Sequence, residues 1–308
     1  MRLAFVLGVG CALVACHKPD ATGDDDDAKV DASPGGGSDA GIPADFTMLI
    51  QRSWTMPPDT EGYKCIRIQA PNELWITAFR SLAPVGTHHT VLTISTNSTQ
   101  TGEYDCQVSS LDNQMLYAAG VATDDNYFPE GVAIHVPAGT YLNLNLHLYN
   151  TTDNTITASS GVYVKTMNAA DVVNEADMMF AGTENINIPS DGVAHTASGG
   201  CTATSDYHMF TLWPHMHQTA IHQKLEITRS GTATASMLLD VPYTFSEQKN
   251  YPMADTMIHA GDALKTTCTY VNNTGATIHF GDSSDSEMCF TGIYRYPAAH
   301  NLFGCAGF

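Results

Sequence analysis

The chain has 308 residues, with 13 Lys plus Arg against 32 Asp plus Glu and a formal net charge of −19. Such an acidic balance argues against a nucleic-acid partner and against a basic face that docks on membranes. Apolar residues make up 43% of the sequence, enough for a sizeable buried core.

Arg2 is followed by an apolar run, Leu3 to Leu13, too short to span a bilayer comfortably as a helix. It ends in Leu13-Val14-Ala15-Cys16. A positive start, a short apolar stretch and small residues before a cysteine resemble a bacterial lipoprotein signal. Residues 1–16 then comprise the signal and a lipidated Cys16, which anchors an exported protein in the cell envelope. The outer membrane is the expected site, facing the periplasm or the surface, because His17 stands where some bacteria place an inner-membrane-retaining aspartate. The alternative is an ordinary secretory signal that contains a cysteine. Residues 17–45 hold Asp24-Asp25-Asp26-Asp27 and Gly35-Gly36-Gly37 and almost nothing apolar, as expected of a disordered tether. The aspartate run lacks the glycine-kinked loop and spaced ligands of a calcium site.

From Phe46 onward, short alternating or β-branched runs recur between turn signals: Lys64–Ile68, Glu73–Phe79, Thr90–Ile94, Gly131–Val136, Tyr141–Tyr149, Gly161–Thr166, His208–Trp213, Lys224–Thr228, Leu264–Tyr270 and Gly292–Tyr296. Turns are marked by Pro137-Ala138-Gly139, Ala260-Gly261-Asp262 and Asn273-Thr274-Gly275. Only Ala169–Phe180 has helical spacing. The pattern predicts an all-β protein of two tandem antiparallel β-sandwich (jelly-roll-like) domains, 46–175 and 176–308, with the handover near residues 168 to 185.

Of eight cysteines, Cys11 and Cys16 lie in the leader. The remaining six are Cys65, Cys106, Cys201, Cys268, Cys289 and Cys305. An even number in an exported chain reads as a disulfide set of open connectivity, and no CxxC or zinc-finger spacing is present.

The candidate chemistry lies in histidines. His215 and His217 are one residue apart in a strand-like segment, so both imidazoles point to one side, as two cis metal ligands do. Alone this is a weak signal. Met288, in Glu287-Met288-Cys289, adds a soft, neutral thioether, which favours Cu(I) over zinc, calcium or magnesium; a core gap-filler is the bland reading. His88 and His89 are adjacent, so both serve one metal only if the backbone bends there, and Pro84-Val85-Gly86 lies just upstream. His147 sits opposite Leu142, Leu144, Leu146 and Leu148 on a face with Tyr141, Asn143, Asn145 and Tyr149, where it is either a ligand or a surface residue.

The order His-His, Leu-His-Leu-Tyr, His-x-His, Glu-Met-Cys is similar to that of the copper type II, ascorbate-dependent monooxygenases, the family of peptidylglycine α-hydroxylating monooxygenase and dopamine β-monooxygenase. Gly62-Tyr63-Lys64-Cys65, Val85-Gly86-Thr87-His88-His89, Leu116-Tyr117-Ala118 and Phe128-Pro129-Glu130-Gly131-Val132 resemble its first domain. Tyr207-His208-Met209-Phe210, His215-Met216-His217, Ala260-Gly261-Asp262 and Ser283-Ser284-Asp285-Ser286-Glu287-Met288-Cys289 resemble its second. The resemblance runs from about Met56 to Cys305. It implies an electron-storage copper on His88, His89 and His147, and an oxygen-binding copper on His215, His217 and Met288, one on each side of an interdomain cleft. It also implies disulfides Cys65–Cys106, Cys201–Cys305 and Cys268–Cys289, which leave no mature thiol unpaired except that of Cys16. His208 matches a family histidine that is not a ligand. The implied reaction is hydroxylation of a C–H bond using O2 and a one-electron reductant such as ascorbate, with two copper ions, in a monomer.

The departures bear on the substrate. Peptide-amidating members hold the substrate carboxylate with an arginine just before His-x-His and with an asparagine and a tyrosine after Met-Cys. Here Trp213 precedes His215, and Phe290 and Gly292 follow Cys289. An aromatic wall in place of the cation predicts a small-molecule or hydrophobic substrate rather than a glycine-extended peptide, with core packing as the bland reading of Trp213 and Phe290. Arg295 and Lys224 are the candidates for a displaced cation. The competing function is a non-enzymatic copper-binding lipoprotein, although the 13 methionines are scattered rather than clustered. A zinc hydrolase lacks its His-Glu-x-x-His, and a structural adhesin would not need the histidines.

Overall fold

Runs of alternating or continuously apolar residues with little helical period leave the sheet as the way to satisfy the backbone, and the computed structural model is built almost wholly of strands. It describes residues 41–95, 98–107, 114–120, 123–245, 247–281 and 283–307; the expected signal, Cys16 and most of the tether fall outside them. The strands are β1 (Thr47–Met56), β2 (Thr60–Gln69), β3 (Leu74–Leu82), β4 (Thr87–Ser95), β5 (Gly102–Asp105) and β6 (Gln114–Gly120). Next come β7 (Asn126–Tyr127), β8 (Val132–Val136), β9 (Tyr141–Asn150), β10 (Ile156–Thr166) and β11 (Asn174–Glu175). The second half holds β12 (Asp177–Thr183), β13 (Asn187–Ile188), β14 (Ala194–Thr202), β15 (Tyr207–His215), β16 (Ala220–Thr228) and β17 (Ala235–Pro242). It ends with β18 (Tyr251–Ile258), β19 (Ala263–Val271), β20 (Ile278–His279), β21 (Cys289–Tyr296) and β22 (Cys305–Gly307).

Strands β1 to β11 pair only among themselves, in sheets ordered β1-β10-β3-β8-β11 (β7 beside β3) and β5-β2-β9-β4-β6. Strands β12 to β22 likewise form β18-β15-β21-β12-β22, β14-β19-β16-β17 and the small pair β13-β20. Pairing is antiparallel except at β8/β11 and β12/β22. The alternation in β9 sends Leu142, Leu144, Leu146 and Leu148 inward to pack with Ile76, Phe79, Val162 and Val164 of the facing sheet, as in a β-sandwich. The two halves also share core: the Phe128 ring meets Phe210 at 5.0 Å and Tyr294 at 5.5 Å. Disulfides Cys65–Cys106, Cys201–Cys305 and Cys268–Cys289 are all formed.

The helical expectation for Ala169–Phe180 is corrected. That stretch is a 3-10 turn at Ala169–Asp171 followed by β11 and the start of β12. Every residue of β12 is buried, and a strand covered on both faces loses the alternation that would separate it from a helix.

Candidate metal centres

His89 and His147 are directly opposed across β4 and β9. The register of β4 shifts between Thr87 and His89, leaving His88 as the extra residue of a bulge. A bulge breaks the strict alternation of side chains, so adjacent histidines face one point. The turn before it, with Gly86 at φ 93° and Thr87 N–H donating to Pro84 O at 2.9 Å, is where the sequence expected the bend. A Cβ on Gly86 would also meet the Trp54 ring at 2.8 Å. His147 is buried rather than on the surface, and its ring stacks on Tyr63.

The three rings converge through one kind of nitrogen. His89 Nδ1 lies 3.2 Å from His88 Nδ1 and 3.4 Å from His147 Nδ1, and ligand atoms of all three fall within 4.8 Å of one another. Two nitrogens about 2 Å from one ion at a tetrahedral angle lie about 3.3 Å apart. His147 donates from Nε2 to Glu61 Oε1 at 2.6 Å, which in the neutral ring leaves Nδ1 as the lone pair. Burial, with the neighbouring imidazoles adding to it, lowers His88 to about 3 and holds His89 well below its ordinary value. Both are therefore uncharged near neutral pH, as ligands must be.

In the second half, β15 carries His215 at its end, paired with Phe290 of β21. His217 lies just beyond the strand. Its N–H donates to Glu287 Oε2 at 2.8 Å, and its Nδ1 lies 2.9 Å from Ser286 O. The segment carrying Met288 is thus fastened to His217, and Tyr270 O–H donates to Met288 O at 2.7 Å. His215 Nδ1 lies 3.0 Å from Gln248 Oε1. Each ring therefore gives its Nδ1 proton to a protein oxygen and keeps Nε2 as its lone pair, the tautomer such partners select in metal sites. The ring centroids are 5.4 Å apart. Burial lowers His215 to about 4 and His217 to about 3. Burial also raises Glu287 to about 7, although it accepts from His217 N–H, Thr219 N–H and Thr219 O–H.

Both donor sets suit copper: three imidazole Nδ1 atoms in one group, and two imidazoles beside a methionine-bearing segment in the other. Between the groups stands Phe245, its ring centroid 4.1 Å from His88 and 6.3 Å from His217. Sequence reasoning did not single out Phe245, Gln248 or Glu61. The one available signal for Phe245 was a lone aromatic in the polar stretch Thr244–Asn250, flanked by Pro242 and Pro252.

Trp213 and Phe290 are both core residues, 2% and 3% exposed, and each packs against Phe180. Trp213 also stacks under His215 at 4.8 Å, so it supports a histidine. Gly292 has a packing reason, since a Cβ there would press on Met178 and meet the Trp213 ring at 3.1 Å. Neither candidate for a displaced cation is available: Arg295 is buried against Asp177 at 2.8 Å, and Lys224 faces Asp240 at 3.7 Å. His208 sits apart from both groups, bonded to Asp255 and stacked on Tyr296.

Residues 174–306 match the family model of the copper type II ascorbate-dependent monooxygenase, C-terminal domain. This region, less than half of the chain, contains His215, His217 and Met288, and is similar to the C-terminal domain of that family of oxidoreductases. No curated protein matches the chain. Among solved structures, the infectious bursal disease virus Gx strain aligns at 12% identity, over 86% of this chain and 76% of that one, with a TM-score of 0.22. The CBM22-1-CBM22-2 tandem domain of Paenibacillus barcinonensis Xyn10C aligns at 11% identity, over 86% and 99%, with a TM-score of 0.21. Similarity at this level carries no functional argument.

Proposed function

We propose that this chain is a copper-dependent monooxygenase that hydroxylates a C–H bond, using O2 and a one-electron reductant such as ascorbate, on a substrate other than a glycine-extended peptide. The observation that carries the reading is the pair of unlike histidine groups. One has three Nδ1 atoms converging, and the other has two Nε2 lone pairs beside the Met288 segment. Copper bound there supplies one-electron redox chemistry at the first group and activation of O2 at the second.

The chain's own residues do the rest. Glu61, Gln248 and the Ser286 carbonyl fix ring tautomers, and burial keeps His88, His89, His215 and His217 uncharged. The Phe245 ring stands against His88 of one group and His217 of the other, where it obstructs a small ligand from bridging them. In this reading residues 46–175 and 176–308 act as two domains with one metal each, in a monomer tethered to the cell envelope through lipidated Cys16.

Metal analysis with EPR of the oxidised protein tests the reading. Two coppers per chain and substrate-dependent consumption of ascorbate and O2 are expected. One copper per chain in folded, fully loaded protein would overturn it, and two coppers without turnover on any C–H substrate would leave a copper-binding lipoprotein.

A further inference from the structure

A single carboxylate oxygen joins the first metal group to the segment that holds His217 of the second. Glu61, on β2, accepts from His147 Nε2 at 2.6 Å and from Ser284 Oγ at 2.8 Å, both at Oε1. Ser284 belongs to the second half, 223 residues away in sequence, and is itself buried. It opens the Ser284–Met288 run, whose Ser286 carbonyl and Glu287 carboxylate hold His217. The path from one group to the other is therefore His147, Glu61, Ser284 and the segment that carries Met288.

We infer that Glu61 is a positioning residue that couples the two metal groups, setting the His147 ring from one side while Ser284, from the other half, sets Glu61. The inference rests on the functional reading above. Its physical basis is that a carboxylate on the far nitrogen of a ligating imidazole fixes the ring's orientation and raises its basicity, and such partners govern metal affinity. A Glu side chain gives up the freedom of several rotatable bonds to hold that pose, a cost that a single anchor must offset alone. The Ser284 hydroxyl supplies the second anchor, and Glu61 is half-exposed, so nothing deeper in the core replaces it.

The experiment titrates copper(II) alone into the metal-free full chain of wild type, Glu61→Ala, Glu61→Gln and Ser284→Ala, reading affinity and EPR at each group separately. Glu61→Ala should weaken copper on His88, His89 and His147 by about 10- to 100-fold. Ser284→Ala removes an atom that bonds Glu61 rather than a histidine, yet should weaken the same group by about 10-fold and shift its hyperfine splitting. Glu61→Gln keeps an acceptor oxygen without the charge, so it should retain copper with an altered spectrum. Near-UV circular dichroism and copper on the His215 group report on folding, and Ser284→Ala carries the test if Glu61→Ala misfolds. If Ser284→Ala binds and resonates like wild type at the first group, the coupling is wrong. If wild type itself holds no copper on His88, His89 and His147, the functional reading fails instead.

Discussion

Gly120 ends β6, directly across from His89, and touches the second half. A Cβ there would stand 2.7 Å from Gln248 Cβ, 3.0 Å from Gln248 N and 3.2 Å from its Cα. Two of those three atoms are backbone, so a side-chain rotation cannot relieve the clash. Gly120→Ala must push the Gln248 segment outward, lengthening the 3.4 Å bond from Gly120 N–H to Gln248 O and the 2.8 Å bond from Thr123 O–H to the same oxygen. Gln248 Oε1 then leaves His215 Nδ1. Overpacking of this kind costs about 1–3 kcal/mol, and loss of the acceptor behind a ligating histidine should weaken copper on the His215 group by about 10- to 100-fold. Thermal unfolding of the metal-free protein reads the first term, and copper titration with EPR reads the second. The effect must cross from one half of the chain to the other. An alanine variant with unchanged melting temperature and unchanged affinity at His215 and His217 would refute the packing argument.

Met288→Ile should abolish most turnover while leaving copper on the three-histidine group, checked by metal content and ascorbate consumption; full activity in the isoleucine variant would remove Met288 from the site. His147→Ala should weaken copper in the first group alone, and equal loss at both groups by EPR would point to misfolding. The backbone N–H groups of His259 and Ser230, together with Arg229, hold the Asp262 carboxyl down to about 2, from an ordinary 3.8. A depressed carboxylate stabilises the fold above its unfolded value, and that contribution is lost as the pH falls from about 3.8 toward 2. Asp262→Asn should therefore cost about 1–3 kcal/mol at pH 7 and flatten acid unfolding in that window, as read from melting temperature against pH.

The histidines and the strands were legible because they depend on local pattern. His215-Met216-His217 announces itself at spacing two, and each of the ten predicted strands has its counterpart, with one or both ends moved by a residue or more. The bulge at His88 was only half legible. A turn could be read from Pro84-Val85-Gly86, but the register shift exists only once β4 is laid against β9. Glu61, Phe245 and Gln248 were not legible, because each acquires its role from a partner 33 to 223 residues away or across the two halves. Trp213 and Phe290 misled in the other direction. Their position beside the metal motifs suggested a substrate wall, whereas neighbouring strands β12, β15 and β21 bring them together with Phe180 as core.

That relocation changes what supports the substrate argument. If the aromatic residues are packing, the case against a carboxylate-bearing substrate rests on cations. A buried carboxylate needs a paired positive charge, since desolvating it unpaired costs several kcal/mol. In the second half Arg295 is committed to Asp177, Arg229 to Asp262, Lys249 to Glu247 and Lys224 to Asp240. Lys265 is exposed on β19, in register with Glu226. Freeing Arg295 would also strand Asp177, which in addition accepts from Ala299 N–H and His300 N–H. An anionic substrate drawn to Arg295, Arg229, Lys249 or Lys224 would thus have to break an existing pair, and Lys265 is the exposed alternative in that half, all against a chain whose net charge is −19. A neutral or cationic substrate meets neither obstacle, and comparing turnover of one carbon skeleton as its acid, amide and amine would separate these cases.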